Sequence, residues 1–424
     1  MKRTAPPVRP FAPMTIPGET VEVLSNGLTF HRFSGGDQPV CRLSLFFEGG
    51  QSELGNDFAG RLALASLAEG STGYPTEDMA DRLDFNGVRV GSSAHGHYSS
   101  LSLAMLCDKM PAVLPVVTDM LRSPLYPEER LATAALREKA RIESLCHEVA
   151  AIADESFGWQ IMGEKHPLAH CVTDSDIESL SRDAVLNIHR RMMCPSRAHA
   201  FFSGLLDDRL VADVRAFLES MPSSGAEPYG CEILPFTAAA PGTVVECDSP
   251  ETMQCAIVTG MPAIGRDNAD YIPLRLAVMA LGGYFGSRLM TNIREEKGLT
   301  YGISAALIGS HEGSFVKIAA QCDRSYADIV TGEIAAELRR LVSEPPAGDE
   351  LRRLKLFAMT SLAETLDSPT AVMSYHSTRL LVGIPEGYFE AQQRAISELT
   401  PDTVAEMAAR YLDPGRLITS IAGK

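Results

Sequence analysis

The clearest pattern of apolar and polar positions in this chain is an apolar strand that leads into an amphipathic helix, and it occurs twice. The run 101–108 is mostly apolar until it ends at an aspartate, and the spacing of apolar residues after it predicts a helix as far as about Leu121. The run 316–323 repeats this design 215 residues later and leads into a predicted helix over 326–341. The two units are the first indication of two related halves.

A second matching pair of elements lies upstream of each unit. A strand is predicted over 42–48 in one half and over 254–260 in the other. A helix then follows, over 59–68 and 271–281 respectively. The shared order of elements indicates an internal duplication.

The joint between the halves is marked by composition. Residues 222–242 contain four prolines and three glycines among small residues, which is typical of a linker. We therefore predict a first domain over 1–225, a linker over 226–242 and a second domain over 243–424.

Long helical patterns interleave with the predicted strands, over 128–150 and 349–366. Strands mixed with long helices favour the α+β class, in which helices pack on one face of a sheet. The glycine-rich turn 282–288 follows a helix, whereas a dinucleotide-binding fingerprint requires a strand before the turn. Dinucleotide binding is therefore not predicted.

Composition narrows the class of partner. The chain has 424 residues and a formal net charge of −16, which argues against a surface for nucleic acid. The N-terminal segment lacks the apolar core of a signal peptide, and no run of about 18 apolar residues could span a membrane. The nine cysteines contain no CxxC pair. We therefore expect a protein of the reducing cytoplasm, without a disulfide or zinc framework.

The residues that suggest chemistry are Arg294 and Tyr301, in the segment REEKGLTY. A guanidinium and a phenol near each other can donate hydrogen bonds to a peptide carbonyl and to the oxyanion that forms under attack. Neither group can generate the attacking water, which requires a metal or a base. The alternative is structural: Arg294 caps a helix C-terminus, and Tyr301 packs at the start of a strand.

Histidine spacing offers few metal sites. His95 and His97 are two apart on a predicted strand, which directs both to one face, where they could form a two-histidine metal site or contact substrate. His147 begins a His-Glu-x-x-His pattern, but Ala151 stands at the last position and cannot bind metal. We expect His166 to lie in a loop, because Pro167 interrupts any helix there.

Several motifs together carry a family resemblance. In chain order they are Leu121-Arg122-Ser123-Pro124, His166-Pro167, Ser179-Leu180-Ser181, the run 195–198 that leads into 201–204, Gly282-Gly283, Ser287-Arg288-Leu289 and the segment from Ile293 to Tyr301. By their order and spacing, the chain resembles the pitrilysin/insulinase family of metallopeptidases, the inverzincins, in its short two-domain bacterial form. The resemblance extends from about Glu22 to Leu417.

The resemblance implies two homologous domains, each a mixed β-sheet packed with α-helices, that face each other across a peptide-sized chamber. In active members, a helix of the first domain carries His-x-x-Glu-His, which binds zinc and supplies the base that takes a proton from the zinc-bound water. Counting back from Gly70 places this motif on residues 61–65, which contain neither histidine nor glutamate. No histidine lies between His31 and His95.

The third zinc ligand of the family would fall near Glu138, Glu143 and Glu148. Without the two histidines, these glutamates are interpreted as the solvated face of a helix. We therefore expect no metal and no organic cofactor in this chain.

The resemblance then implies the non-zinc subunit of a two-subunit peptidase, inactive alone. Arg294 and Tyr301 would bind the substrate carbonyl and oxyanion, while a homologous partner chain brings the zinc. The alternatives are a stand-alone peptide-binding or scaffold homodimer, and an active zinc peptidase with unconventional ligands. The first needs no Arg/Tyr pair, and the second needs a metal site that the sequence does not supply.

Overall fold

The computed structural model describes residues 11–54, 58–250 and 252–424, and these form two α+β halves. The first ten residues, which begin the segment considered above for a targeting signal, lie outside the described residues. No helix in the described ranges is long and apolar enough to cross a membrane.

The first half contains one six-stranded sheet within the described residues. Its strands are β1 (Thr20–Val23), β2 (Thr29–Ser34), β3 (Val40–Glu48), β4 (Arg89–His95), β5 (Tyr98–Leu106) and β6 (Ala198–Gly204). Its helices are α1 (Gln51–Leu54), α2 (Phe58–Ala65), α3 (Thr76–Phe85), α4 (Met110–Arg122), α5 (Glu128–Leu145), α6 (Val149–Met162), α7 (Asp174–Glu178), α8 (Arg182–Met192) and α9 (Asp208–Glu219).

The second half contains a five-stranded sheet, counted over the same ranges. Its strands are β7 (Val244–Glu246), β8 (Gln254–Ala263), β9 (Thr300–Gly309), β10 (Ser314–Asp323) and β11 (Ile418–Ala422). Its helices are α10 (Tyr271–Gly282), a π-helix (Met290–Glu296), α11 (Ala327–Ser343), α12 (Gly348–Ala363), α13 (Pro369–Val382), α14 (Tyr388–Glu398) and α15 (Pro401–Tyr411).

The two sheets have the same topology. The first has the order β1-β2-β6-β3-β5-β4 and the second β7-β11-β8-β10-β9, so that β2, β6, β3, β5 and β4 correspond to β7, β11, β8, β10 and β9. The pair β2/β6 and the pair β7/β11 are parallel, and the other neighbours are antiparallel. The predicted duplication and the α+β class are confirmed.

Central strands are covered on both faces, because successive side chains of a strand point in opposite directions. In β3, Leu45 and Phe47 enter the main core of the first half, whereas Phe46 belongs to a smaller cluster on the opposite face. In β8, Ile257 enters the main core of the second half and Val258 enters a separate small cluster. The helices that build these two small clusters come from the other half of the chain.

Helix α6 belongs to the first half by sequence but packs on β8 and β11 of the second sheet. Its buried residues Ala153 and Phe157 contact the second sheet in one apolar cluster with Ile418. The hydroxyls of Ser156 and Ser420 are 3.0 Å apart and form a buried hydrogen bond. A helix of the first half therefore completes the core of the second.

Helix α13 makes the reciprocal contact, on β2 and β6 of the first sheet. Val372 and Met373 pack in one cluster with Phe33 and Phe201. The hydroxyls of Ser203 and Thr370 are 3.1 Å apart, which matches the bond between α6 and β11 in the other half. The two halves thus exchange corresponding helices, which the sequence did not predict.

This exchange explains one wrong prediction. The helix expected over 128–150 ends at Leu145, and α6 begins separately at Val149. The break over 146–148 lets the chain leave the first half and cross to the second sheet.

The predicted linker over 226–242 lies within 220–243, a stretch of the described chain without helix or strand. The peptide-sized chamber and the domain boundaries remain predictions.

Candidate functional site

Helix α2 covers the residues where the resemblance places the zinc motif. Leu62, Ala63 and Leu64 are buried in the core of the first half, and Ala65 is exposed. Apolar side chains therefore occupy the positions of the zinc-binding helix, and the helix offers neither a ligand nor a general base. The polar side chain in this stretch is Arg61.

Arg61 forms an ion pair with Glu138, which was interpreted as part of a solvated face. Glu138 is instead buried and also accepts hydrogen bonds from Arg141, at 3.0 Å from Nε and 2.6 Å from Nη2. The hydrogen bonds from Arg141, followed by those from Arg61, hold the pKa of the Glu138 carboxyl below its usual range. Glu143 and Glu148 are exposed, as predicted. Two guanidinium groups thus supply the positive charge beside this carboxylate.

Arg294 lies in the π-helix, an element that is often found at functional sites. The neighbouring Ile293 is buried in the core of the second half, whereas Arg294 is half-buried. Its guanidinium lies over the exposed ring of Phe285, with Cζ 5.1 Å from the ring centroid. Within the described chain, the guanidinium has no ion pair or hydrogen bond. Its donors are therefore available to another molecule.

Tyr301 projects from a β-bulge near the start of β9. Gly302 pairs with Gln321 and Thr300 with Cys322, so Tyr301 is the extra residue between two ladder positions. Thr300 stabilises the bulge, because its hydroxyl accepts a hydrogen bond from the Gly302 amide at 3.1 Å. A bulge of this kind redirects a side chain, and Tyr301 is 88% exposed. The alternative in which Tyr301 packs at the start of a strand is therefore wrong.

A groove of about 670 Å³ adjoins Tyr301, between α6 and the exposed face of the second sheet. Its charged and polar lining includes Asp154, Lys317 and Gln321, and Lys317 forms an ion pair with Asp154. Arg294 does not line this groove, and no hydrogen bond joins it to Tyr301 in the described chain. The two predicted site residues are seven positions apart and point from neighbouring elements.

The prediction that His95 and His97 share one strand face is wrong. His95 pairs with Tyr98 at the last position of the β4/β5 ladder, and Gly96 and His97 form the hairpin turn between them. His95 is exposed, whereas His97 is buried. A glycine at the first central position of a two-residue loop is the signal that indicates this hairpin. The two histidines therefore lie in different environments, one on the strand and exposed, the other in the turn and buried.

His97 instead meets residues that are distant in sequence. Its Nδ1 bonds to Glu53, and its Nε2 lies 3.3 Å from Glu312 Oε1. The ligand atoms of Glu53, His97 and Cys231 lie within 4.8 Å of one another. His166, expected to be a loop residue, is buried at the start of a short 3-10 turn, and its Nε2 lies 2.9 Å from the carbonyl oxygen of Leu234.

The chain is similar to known proteins over most of its length. Residues 179–356 match the family model described as Peptidase M16 inactive domain. The chain is 24% identical over 360 residues to an uncharacterized zinc protease of Streptomyces coelicolor, which covers 82% of this chain and 76% of that protein. It is 21% identical over 326 residues to the uncharacterized zinc protease YmxG of Bacillus subtilis, over 74% of this chain and 76% of YmxG.

Two solved structures show the same fold. A peptidase M16 inactive domain from Pseudomonas fluorescens superposes with a TM-score of 0.82 at 22% identity, over 96% of this chain and 97% of that one. The periplasmic protease PqqL from Escherichia coli gives a TM-score of 0.78 at 15% identity, over 99% of this chain but 49% of PqqL.

Proposed function

We propose, given that this chain belongs to the pitrilysin/insulinase (M16) family and is of its inactive-domain type, that it acts as the non-catalytic subunit of a zinc peptidase. In this proposal a homologous partner chain holds the zinc and the attacking water. This chain binds the peptide and contributes Arg294 and Tyr301 to the substrate carbonyl and to the oxyanion.

The observation that carries this proposal is the availability of both groups. Arg294 has no acidic partner in the described chain although the net charge is −16, so no carboxylate of the described residues competes with a substrate for its guanidinium. Tyr301 is exposed on a bulge, where it stabilises no core. Stacking on Phe285 orients the guanidinium but leaves its hydrogen-bond donors free.

The position of Tyr301 also suits an extended peptide. Strand β9 is at the edge of the second sheet, so one side of its backbone is free to pair with another strand. The groove beside Tyr301 falls within the size range of ligand sites, roughly 300–1,000 Å³. A peptide bound here would place a backbone carbonyl near the phenol, and His95, exposed at the end of the equivalent edge strand β4, remains a further predicted contact.

In this proposal the attacking water comes from another chain, because the residues at the position of the zinc motif cannot bind zinc. Helix α2 presents apolar residues where the motif would lie, and Arg61 and Arg141 already neutralise Glu138. An oxyanion donor is worth about 2.7–4 kcal/mol of transition-state stabilisation, so two such donors make a large contribution without any base of their own.

The test uses the complex with a homologous subunit that has an intact His-x-x-Glu-His. Arg294→Ala and Tyr301→Phe are each expected to lower kcat for a fluorogenic peptide by about a hundredfold or more. Arg394→Ala is the matched control for the arginine, because Arg394 is exposed and, like Arg294, has no ion pair or hydrogen bond in the described chain. Tyr326→Phe is the control for the phenol, since Tyr326 lies beside Tyr301 in a neighbouring groove.

The outcomes separate the proposal from its alternatives. If Arg294→Ala and Tyr301→Phe leave kcat unchanged, the chain is a scaffold or a peptide-binding homodimer. If the chain alone hydrolyses the peptide, it is an active enzyme and the partner is unnecessary.

The proposal places the complex in the cytoplasm. All nine cysteines have unpaired thiols in the structure, as expected for a reducing compartment. The similar protein PqqL is a periplasmic protease, so cell fractionation with an antibody against this chain is the appropriate test.

A further inference from the structure

The duplication brings two hairpin turns together at the junction between the halves. Gly96 and His97 form the turn of β4/β5, and His311 and Glu312 lie in the equivalent turn of β9/β10. The imidazole rings of His97 and His311 have centroids 5.7 Å apart. Glu312 accepts a hydrogen bond of 2.7 Å from Ser52 Oγ, so that this junction joins the two halves through polar side chains.

Three potential metal ligands converge beside His97. Glu53 lies in α1, where its Oε2 accepts a bond of 2.9 Å from the Gly50 amide and its Oε1 contacts His97 Nδ1. Cys231 comes from the irregular stretch between the halves. Carboxylate, imidazole and thiolate together form a donor set of borderline softness, which suits zinc and related transition metals rather than magnesium or calcium.

The electrostatics of the cluster favour a cation. The side chains of Glu53 and Glu312 are almost fully buried, and the nearby Arg197 already forms an ion pair with Glu48. A divalent cation beside these carboxylates would also hold Cys231 as the thiolate, because a coordinated thiol is deprotonated outright.

Two buried atoms are left without hydrogen bonds in this arrangement. They are Nε2 of His97 and Oε2 of Glu312, and burying unpaired polar atoms is costly. A proton on Nδ1 of His97 serves the bond to Glu53 and leaves Nε2 as an unpaired acceptor facing a carboxylate. If Nδ1 bound a metal, the ring proton would sit on Nε2 and could donate to Glu312. A ligand histidine whose other nitrogen donates to a carboxylate is common in metal sites.

We propose that Glu53, His97 and Cys231 bind one zinc-like divalent transition-metal ion, with Glu312 of the second half orienting His97. Binding displaces the thiol proton of Cys231 and moves the bond of His97 from Glu53 to Glu312. The ion ties the stretch between the halves to the first domain and, through Glu312, to the second. Its role is structural, and the site involves neither α2 nor the pair Arg294 and Tyr301, so it stands independently of the proposed function.

The test follows cobalt(II) as a spectroscopic probe in the full-length chain after removal of metals with a chelator. We expect one cobalt per chain, a thiolate-to-cobalt charge-transfer band, competition by zinc and none by magnesium. Cys231→Ser is expected to abolish the band and to weaken binding more than a hundredfold, because it removes a direct ligand. Cys146→Ser, which alters another exposed free thiol, should change neither.

A second variant tests the orienting residue. Glu312→Gln is expected to keep the 1:1 stoichiometry and the charge-transfer band but to weaken binding by about 10–100-fold. The proposal is overturned if no thiolate band forms, or if Cys231→Ser binds as tightly as the wild type. In either case the buried His97 is a structural residue between Glu53 and Glu312 and not a metal ligand. Peptidase activity of the complex is a separate readout, so either proposal can fail without the other.

Discussion

Replacing Phe157 with alanine should destabilise the second half of the molecule more than the first, although this residue belongs to the first half by sequence. Phe157 is 1% exposed in α6 and packs edge to face on Phe315 of β10, with ring centroids 6.0 Å apart. A Cβ on Gly260 would lie 2.9 Å from its Cζ, so the ring rests directly on the backbone of β8. The contacts that hold Phe157 are therefore those of the second sheet.

The expected magnitude follows from this burial. Truncating a fully buried phenylalanine costs about 3–5 kcal/mol, of which an aromatic pair accounts for roughly 0.5–1.5 kcal/mol. Domains are usually stable by only about 5–15 kcal/mol, so the second half would lose a large share of its protection against opening.

Native-state hydrogen exchange read by mass spectrometry can assign this loss to a sheet. In Phe157→Ala, amides in peptides from β8, β10 and β11 should exchange faster, by the factor that corresponds to the free energy lost on truncating the ring. The exchange rates of β3 and β5 should change little. Phe47→Ala is the matched control, because Phe47 is equally buried in the main core of the first half and should give the opposite pattern. Equal loss in both sheets, or loss confined to the first, would refute the argument that α6 is part of the second core.

Two further predictions concern charge. Arg61→Ala is expected to lower the free energy of unfolding, measured by urea denaturation, by about 1–2 kcal/mol. The loss is moderate because Glu138 keeps its ion pair with Arg141 and because Arg61 is itself partly exposed. Adding Glu138→Gln should restore part of this stability, and no recovery would show that Arg61 does not act through Glu138. Burial lowers the pKa of both His189 and His199 from 6.5 to about 4, so the unfolded chain binds more protons in this window. Above pH 6.5 both histidines are neutral in the folded and the unfolded chain, so they cost no stability. As the pH drops from 6.5 towards 4, the free energy of unfolding should fall by about 1.4 kcal/mol per pH unit for each histidine. Replacing His189 with glutamine should reduce the slope of unfolding free energy against pH by one proton, and an unchanged slope would contradict the assignment.

Local pattern was sufficient for most elements and insufficient for their assembly. Strand β10 ends at Asp323 and helix α11 follows it, as the sequence predicted. The spacing of apolar residues was sufficient here, because it shows which face of each element is buried. The break after Leu145 contains neither glycine nor proline, so nothing local marks it. The break allows α6 to pack on the second sheet, and contacts between residues so distant in sequence leave no local signal.

The site shows the same division. Glu295, Glu296 and Lys297 are exposed and Gly298 has a positive φ at the turn before Tyr301, as residues of these types ordinarily behave. The stacking of Arg294 on Phe285 could not be predicted, because it depends on how a π-helix meets the glycine-rich turn.

The exchange of α6 and α13 gives this single chain the geometry of a domain-swapped dimer. Two separate copies of one half, related by a twofold axis, could trade the same helix and place their corresponding hairpin turns face to face. Residues 220–243 would then be the fusion joint that made such an ancestral pair permanent. Once joined, the two copies were free to diverge, and the Arg/Tyr segment now stands in one of them alone.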